Sequence, residues 1–321
     1  MRRFLAARIA HAAIVVLMVT TIAFFLLRMA PGDPFSYEDP SVSPAIRAQW
    51  RAVFGYDRPV AEQFVRYVGN VARGNFGYSV INKRPVSELI GLAAPRTLSL
   101  AFVSLALATI IGIGLGVVAA ARHRTLPDRV ISTLSVVVYS VPEFWLALII
   151  QMTLGFGLGL FPISGFNDPL IADYGSAGEV FVDRLKHMVL PTLALTILLA
   201  VILARFQRAA MIDVLPSDYL RTARAKGAPE GRVLMRHALR NALTPTITML
   251  GVLGPTVLGG IFFIEYVFDW HGLGWMAVNS VETRDYDLAT ATVVISGVLV
   301  ALGSLAADLA TAFSDPRIRD A

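Results

Sequence analysis

The chain of 321 residues has no cysteine, which excludes disulfides and thiolate metal sites and leaves its redox compartment unreadable. It is also poor in charge, with 16% charged against 55% apolar residues. That balance excludes an ordinary soluble globular chain and points to a protein that crosses a membrane several times. No GxxxxGK[ST] loop is present, so the chain has no phosphate cradle for ATP, and HExxH and GxSxG are missing too. The five histidines, at positions 11, 123, 187, 237 and 271, show no metal-ligand spacing. There is no internal repeat, low-complexity tract or soluble linker.

What is there is a series of long apolar runs. Residues 9–27 carry no charge and follow Arg2, Arg3 and Arg8. This run is long enough to cross about 30 Å of hydrocarbon. A signal peptide is the competing reading, but its apolar region would be shorter, and no small-x-small cleavage site precedes Pro31. Further spans are expected at 98–121, 130–154, 188–203, 243–264 and 288–312, giving six. Ser140-Val141-Pro142-Glu143 interrupts the third, Pro191 the fourth, and Pro245 and Pro255 the fifth. Membrane helices tolerate such breakers where neighbours re-satisfy the freed backbone, so these three are expected to be kinked and packed.

Orientation follows from the retention of Lys and Arg on the cytoplasmic side. With both termini inside, sixteen of the 28 basic residues fall in the short cytoplasmic segments, eight of them between Arg205 and Arg240. The loop 265–287 is acidic and lies outside. Residues 31–96 are too long for a plain connection. Trp50, Phe54, Tyr56, Phe64, Tyr67 and Phe76 among polar residues suggest a small external cap of short helices. It would either dock a partner or brace the spans.

Three features carry candidate chemistry. Glu143 and Asp308 are acids inside apolar runs, which makes each a functional candidate by default. Each also has a structural alternative: Glu143 bonding the backbone freed by Pro142, and Asp308 pairing with Arg317, Arg319 or a basic residue of a neighbouring helix. Neither has the intramembrane partner expected of a proton relay. The third feature is the stretch 218–245, too polar to cross a bilayer. Ser217 and Asp218 signal a helix start, Gly227 a stop, and Ala228-Pro229 a second start. Arg232, Arg236 and Arg240 share one face of that second helix. This patch would attract anionic lipid. Nucleic acid is not expected as a partner, because no linker lets a reading helix leave the membrane.

Thr222-Ala223-Arg224-Ala225-Lys226-Gly227, with Asn241 to Pro245 downstream, resembles the EAA loop of ABC importer permeases. More narrowly, the chain resembles the dipeptide and oligopeptide permeases. Asp57-Arg58-Pro59, Gly74-Asn75-Phe76-Gly77-Tyr78-Ser79, Arg84-Pro85-Val86, Thr97-Leu98, Gly272-Leu273-Gly274, Arg284-Asp285-Tyr286, and residues 31–34 and 315–319 extend the likeness over nearly the whole chain. It departs from the family pattern at Arg221 and Thr222, at Asn75, and at Trp270-His271.

The resemblance implies an all-α permease with six transmembrane helices, of type I importer form. It would comprise an N-terminus and first span (1–30), an extracytoplasmic cap (31–96), a permease core (97–312) with a cytoplasmic coupling loop (205–241), and a tail (313–321). The implied partners are a second homologous permease, two ATP-binding subunits that hold ATP and Mg, an extracytoplasmic peptide-binding protein and the lipid bilayer. The chain itself would bind no cofactor or metal and catalyse no reaction, and it would sit in a bacterial inner membrane. The residues implied to couple to the ATPase are Asp218, Tyr219, Arg221, Thr222, Ala223, Arg224, Ala225, Lys226 and Gly227. Pro255, Gly259, Gly260 and Glu265 are candidates for the translocation path. Nickel, glutathione or another small solute is the alternative cargo, and an ion-driven transporter or channel is the remote alternative.

Overall fold

The first long helix, α1 (Arg2–Met29), has no helix breaker along its apolar run. The computed structural model describes residues 2–30, 35 and 43–314 of the chain, so the motifs at 31–34 and 315–319 lie outside the described residues. After α1 come α2 (Pro44–Phe54), α3 (Val60–Val71) and a two-residue hairpin, β1 (Tyr78–Ser79) with β2 (Arg84–Pro85). Then follow α4 (Val86–Ala121), α5 (Leu126–Ser140), α6 (Glu143–Ile150), which continues as wider π turns to Gly157, α7 (Pro169–Tyr174) and α8 (Ala177–Val214). The described residues continue with α9 (Asp218–Ala225), α10 (Glu230–Arg232), π turns over Val233–Ala238, α11 (Leu239–Gly260), α12 (Phe262–Val267), α13 (Leu273–Glu282) and α14 (Tyr286–Ser314).

Five of these runs are long and apolar enough to cross a membrane singly, and α5 with α6 forms a pair bent by 105°. The bend has a local cause. Pro142 disfavours helical geometry at the residue before it, and Val141 is accordingly extended (φ −84°, ψ 129°). Packing shows that the bent pair nevertheless crosses. A Cβ added at Gly112 of α4 would lie 2.7 Å from Leu203 Cβ of α8, and one at Gly116 would lie 2.7 Å from Gln207 Cβ. The residue numbers rise together, so α4 and α8 are parallel. The segment between them must therefore return to the other end. It starts with Asp128 on Arg208 and reaches Gly155, whose added Cβ would lie 3.1 Å from Leu190 Cδ1. Residues 190 to 208 of α8 span about 27 Å, close to the thickness of the hydrocarbon core.

The expected kinks at other prolines do not break their helices. α8 runs through Pro191, which is buried among Leu190, Thr192 and Ala194. It also starts at Ala177, earlier than the apolar run, because Ser176 and Glu179 form a reciprocal capping box. The fifth span runs through Pro245 and Pro255, and the expected separate second helix of the basic stretch is its beginning. Pro229 sets that start, and no further proline intervenes before Pro245. The connection between α8 and this run is therefore shorter than 205–241.

The chain forms two compact units. One comprises Met1–Thr97 and His271–Leu305. Within it Phe24 of α1 meets Phe64 and Tyr67 of α3, each with ring centroids 5.4 Å apart. Val86, Ile90 and Ala93 pack on Leu273, Leu288 and Ala291. The Thr97 hydroxyl accepts the first-turn amide of α13 at Leu273 (2.8 Å), and the Ser79 hydroxyl donates to Asp285. Burial pushes the Asp285 carboxyl up from its ordinary value.

The other unit comprises Leu98–Trp270 and Ala306–Ala321, and its apolar centre lies along α8 from Leu190 to Leu203. Trp270, one of the departures from the family pattern, is buried there, with its ring 5.0 Å from Phe166. Its neighbours Asp269 and His271 take left-handed backbone (φ 51° and 49°), which is how the loop turns without proline.

Candidate functional site

The loop between α8 and the fifth span folds as a ledge. α9 is amphipathic over two turns: Leu220 is fully buried, while Asp218, Tyr219, Arg221, Thr222, Arg224 and Ala225 are exposed. Leu220 inserts among Val117 and Ala120 of α4, Met211 of α8, and Val233, Ala238 and Ala242 of the following run. Both parallel helices thus end on the same seat. The hydroxyl of Ser217 makes no cap bond, although the residue stands at the N-cap position.

The end of α9 is set by glycine. Gly227 N donates to Arg224 O (2.9 Å) and Ala228 N to Ala223 O (3.2 Å), the paired bonds of a Schellman ending. That ending requires the left-handed backbone found at Gly227 (φ 79°). Ala223 and Ala228 turn inward against the Leu220 cluster, so these two small residues seat the helix. The surface left open is formed by Asp218, Tyr219, Arg221, Thr222, Ala225, Lys226 and Gly227. No atom lies within 4 Å of a Cβ added at Gly227.

Polar ties hold the ledge to the start of the fifth span. Arg224 makes two bonds to the carboxylate of Glu230, 3.1 and 3.0 Å. Asn241 donates to the Tyr219 hydroxyl at 2.8 Å, and on the ledge itself Arg221 pairs with Asp218. Arg232, Arg236 and Arg240 are all exposed along the start of the fifth span.

A second tie is not apparent from the sequence. Asp128, in the first turn of α5 and 3% exposed, receives Arg208 Nε at 2.5 Å and Nη2 at 2.9 Å. It also accepts from the Arg124 amide at 2.8 Å. The pair binds the 122–125 turn to α8 two turns before the ledge. Its one sequence signal is an acid directly after Pro127 at the mouth of an apolar run. That acid falls outside the span expected from 130, and in the sequence Arg208 looks like one of many juxtamembrane cations.

The remaining candidates are not brought to one surface. Pro255 and Glu265 are buried and Gly259 is exposed, while Gly260 ends α11. Glu143 opens α6 half-buried; that helix start has no side-chain cap bond, and Glu143 Oε1 is buried without a hydrogen-bond partner. Asp308 is half-buried on α14, and two of its expected partners, Arg317 and Arg319, lie outside the described residues. Among the described residues no group of three His, Asp or Glu is placed to hold a metal ion.

Residues 112–320 match the family described as "Binding-protein-dependent transport system inner membrane component", and residues 1–101 match its N-terminal companion. The chain is 41% identical over 306 residues to the oligopeptide transport system permease protein AppB of Bacillus subtilis, covering 95% of each. It is 35% identical over 315 residues to the di/tripeptide transport system permease protein DppB of Pseudomonas aeruginosa, covering 94% of each. A glutathione transport system permease protein, GsiC of Salmonella paratyphi A, is 36% identical over 304 residues, again covering 94% of each.

Proposed function

Because this chain belongs to the family of inner-membrane components of binding-protein-dependent transport systems, we propose that it is a permease half of an ATP-driven importer of di- and oligopeptides. It pairs with a second homologous permease, with two cytoplasmic ATP-binding subunits and with an extracytoplasmic peptide-binding protein. Six crossings return the C-terminus to the side of the N-terminus. The basic residues within 122–129 and 205–240 support a cytoplasmic position for that side, with α9 and its exposed face. Peptide cargo rests on the relatives named for oligopeptides and di/tripeptides, and glutathione, itself a peptide, is the second reading that GsiC favours.

The observation that carries the mechanism is the seating of α9. Its buried face is held by the ends of α4 and α8 and by the start of the fifth span, while its other face is open to a protein from below. A push on the open face is therefore delivered to three spans at once. Rigid-body displacement of those helices is one of the standard routes to alternating access. ATP hydrolysis and its Mg belong to the ATP-binding subunits, so the chemistry is remote and this chain converts displacement into opening.

Reconstitution tests the reading. Proteoliposomes containing both permeases, the ATP-binding subunits and the binding protein should take up a labelled tripeptide with ATP. Omission of the ATP-binding subunits should abolish uptake. Uptake by the permeases alone, driven by an ion gradient, would overturn it.

A further inference from the structure

The arginine row that opens the fifth span has no role in the coupling described above, and it differs from its neighbours in what it is bonded to. Arg208 is held by Asp128, Arg221 by Asp218 and Arg224 by Glu230. Arg232, Arg236 and Arg240 are exposed, and among the described residues their side chains have no ion pair or hydrogen bond. The backbone lines them up. In a regular α-helix residues four apart step around the axis by about 40°, so three of them spread over about 80°. From Val233 to Ala238 the turns are of the wider π kind, in which each residue turns less. Positions 232, 236 and 240 therefore come closer to a single line than the α repeat allows. Such turns are rare and concentrate at functional sites.

Packing sets the depth of the row. Ala238 and Ala242, on either side of Arg240, are buried with Val117 and Ala120 at the end of α4 and with Met211 near the end of α8. Arg240 thus stands where these spans leave the hydrocarbon. Arg232 lies eight residues, about 12 Å, further out. The headgroup layer is about 5–8 Å thick on each side, and an arginine just below it is long enough to reach back in. In the other direction, two turns into the span, Ile247 continues the line of Arg240 and is 46% exposed. One continuous strip therefore offers three cations at headgroup depth and an aliphatic side chain at acyl depth.

We propose that this strip binds an anionic phospholipid of the leaflet on the α9 side, with its phosphate on the arginine row and an acyl chain against Ile247. The guanidinium fork matches phosphate oxygens two at a time. Three cations with no free acid among them leave a charge that a zwitterionic headgroup does not neutralise, and a free phosphate ion makes no use of Ile247. A lipid held there fixes the depth at which the fifth span begins, and α9 is seated on that beginning. The site does not depend on which cargo is carried.

The experiment titrates the complete, detergent-purified transporter with phosphatidylglycerol and counts bound lipid by native mass spectrometry. Arg232→Gln with Arg236→Gln and Arg240→Gln should weaken the tightest lipid by about tenfold or more, since each cation near the surface contributes roughly a factor of five. Arg240→Gln alone should weaken it by about fivefold. Removing three other exposed arginines of the same side, Arg122→Gln with Arg124→Gln and Arg129→Gln, should leave it within about twofold. Equal weakening by both triple sets overturns the proposal, because the attraction is then that of any basic surface. So does unchanged lipid binding when the row is removed. Competition by inorganic phosphate at the lipid's own concentration also overturns it, since the site then takes a free anion. Loss of the ATP-binding subunits or of the second permease from the row's triple variant overturns it as well, because the row is then a subunit contact.

Discussion

Leu220 is the side chain on which the ledge rests, and its surroundings set what its loss would do. It is fully buried in a cluster with seven apolar residues from α4, α8 and the run that begins the fifth span. Leu220→Ala should therefore destabilise the detergent-purified permease by about 2–3 kcal/mol, since such a site collapses only partly. Lys226→Ala, on the open face, should change stability by less than about 0.5 kcal/mol. Gly116 gives a contrasting case. An added Cβ lies 2.7 Å from Gln207 Cβ and 2.8 Å from Ala204 O, so Gly116→Val forces α4 off α8 and should cost about 1–3 kcal/mol. Thermal unfolding followed by tryptophan fluorescence measures all three.

At the scale of the element, α9 is short and exposed, and its shape comes from its ending and its seat more than from propensity. Gly227→Ala places a Cβ on left-handed backbone and should weaken the helix end by about 1 kcal/mol, seen as faster amide exchange at Ala225 to Ala228. Ala225→Glu leaves the seat intact and places a charge on the open face. It should keep the permease in the membrane at normal abundance and lower ATP-driven uptake by roughly tenfold or more. Normal uptake by that variant would remove α9 from the coupling role.

The elements also show where sequence reasoning reaches and where it stops. The apolar runs mark every span, because twenty apolar residues have few other uses. They do not mark the ends wherever a helix continues beyond the hydrocarbon, as α4 does from Val86 and α8 from Ala177. Pro142 breaks its helix as expected, whereas Pro191, Pro245 and Pro255 do not; an isolated proline and one preceded by an extended residue look alike until packing is known.

In the whole molecule, the bounds of α9 are legible because their signals are local, above all the glycine stop at Gly227, although the cap expected of Ser217 does not form. The Asp128 tie and the pairing of Arg28 with Asp287 are not, since Arg208 is 80 residues from its partner and Arg28 is 259 from its own. Path-facing positions are equally illegible, because a single chain does not display the surface it shares with a second permease. The direction of the chain is the property on which the rest depends. Parallel α4 and α8 make the bent pair a crossing, and in the proposed orientation, with the basic ends inside, α9 faces the cytoplasm.

Because the chain has no cysteine, one introduced at Ala225 can carry a photoactivatable maleimide without background. In the assembled transporter, irradiation should join this residue to an ATP-binding subunit, with a yield that changes when ATP is added. Attachment only to the extracytoplasmic binding protein, or to no other subunit in either state, would contradict the account.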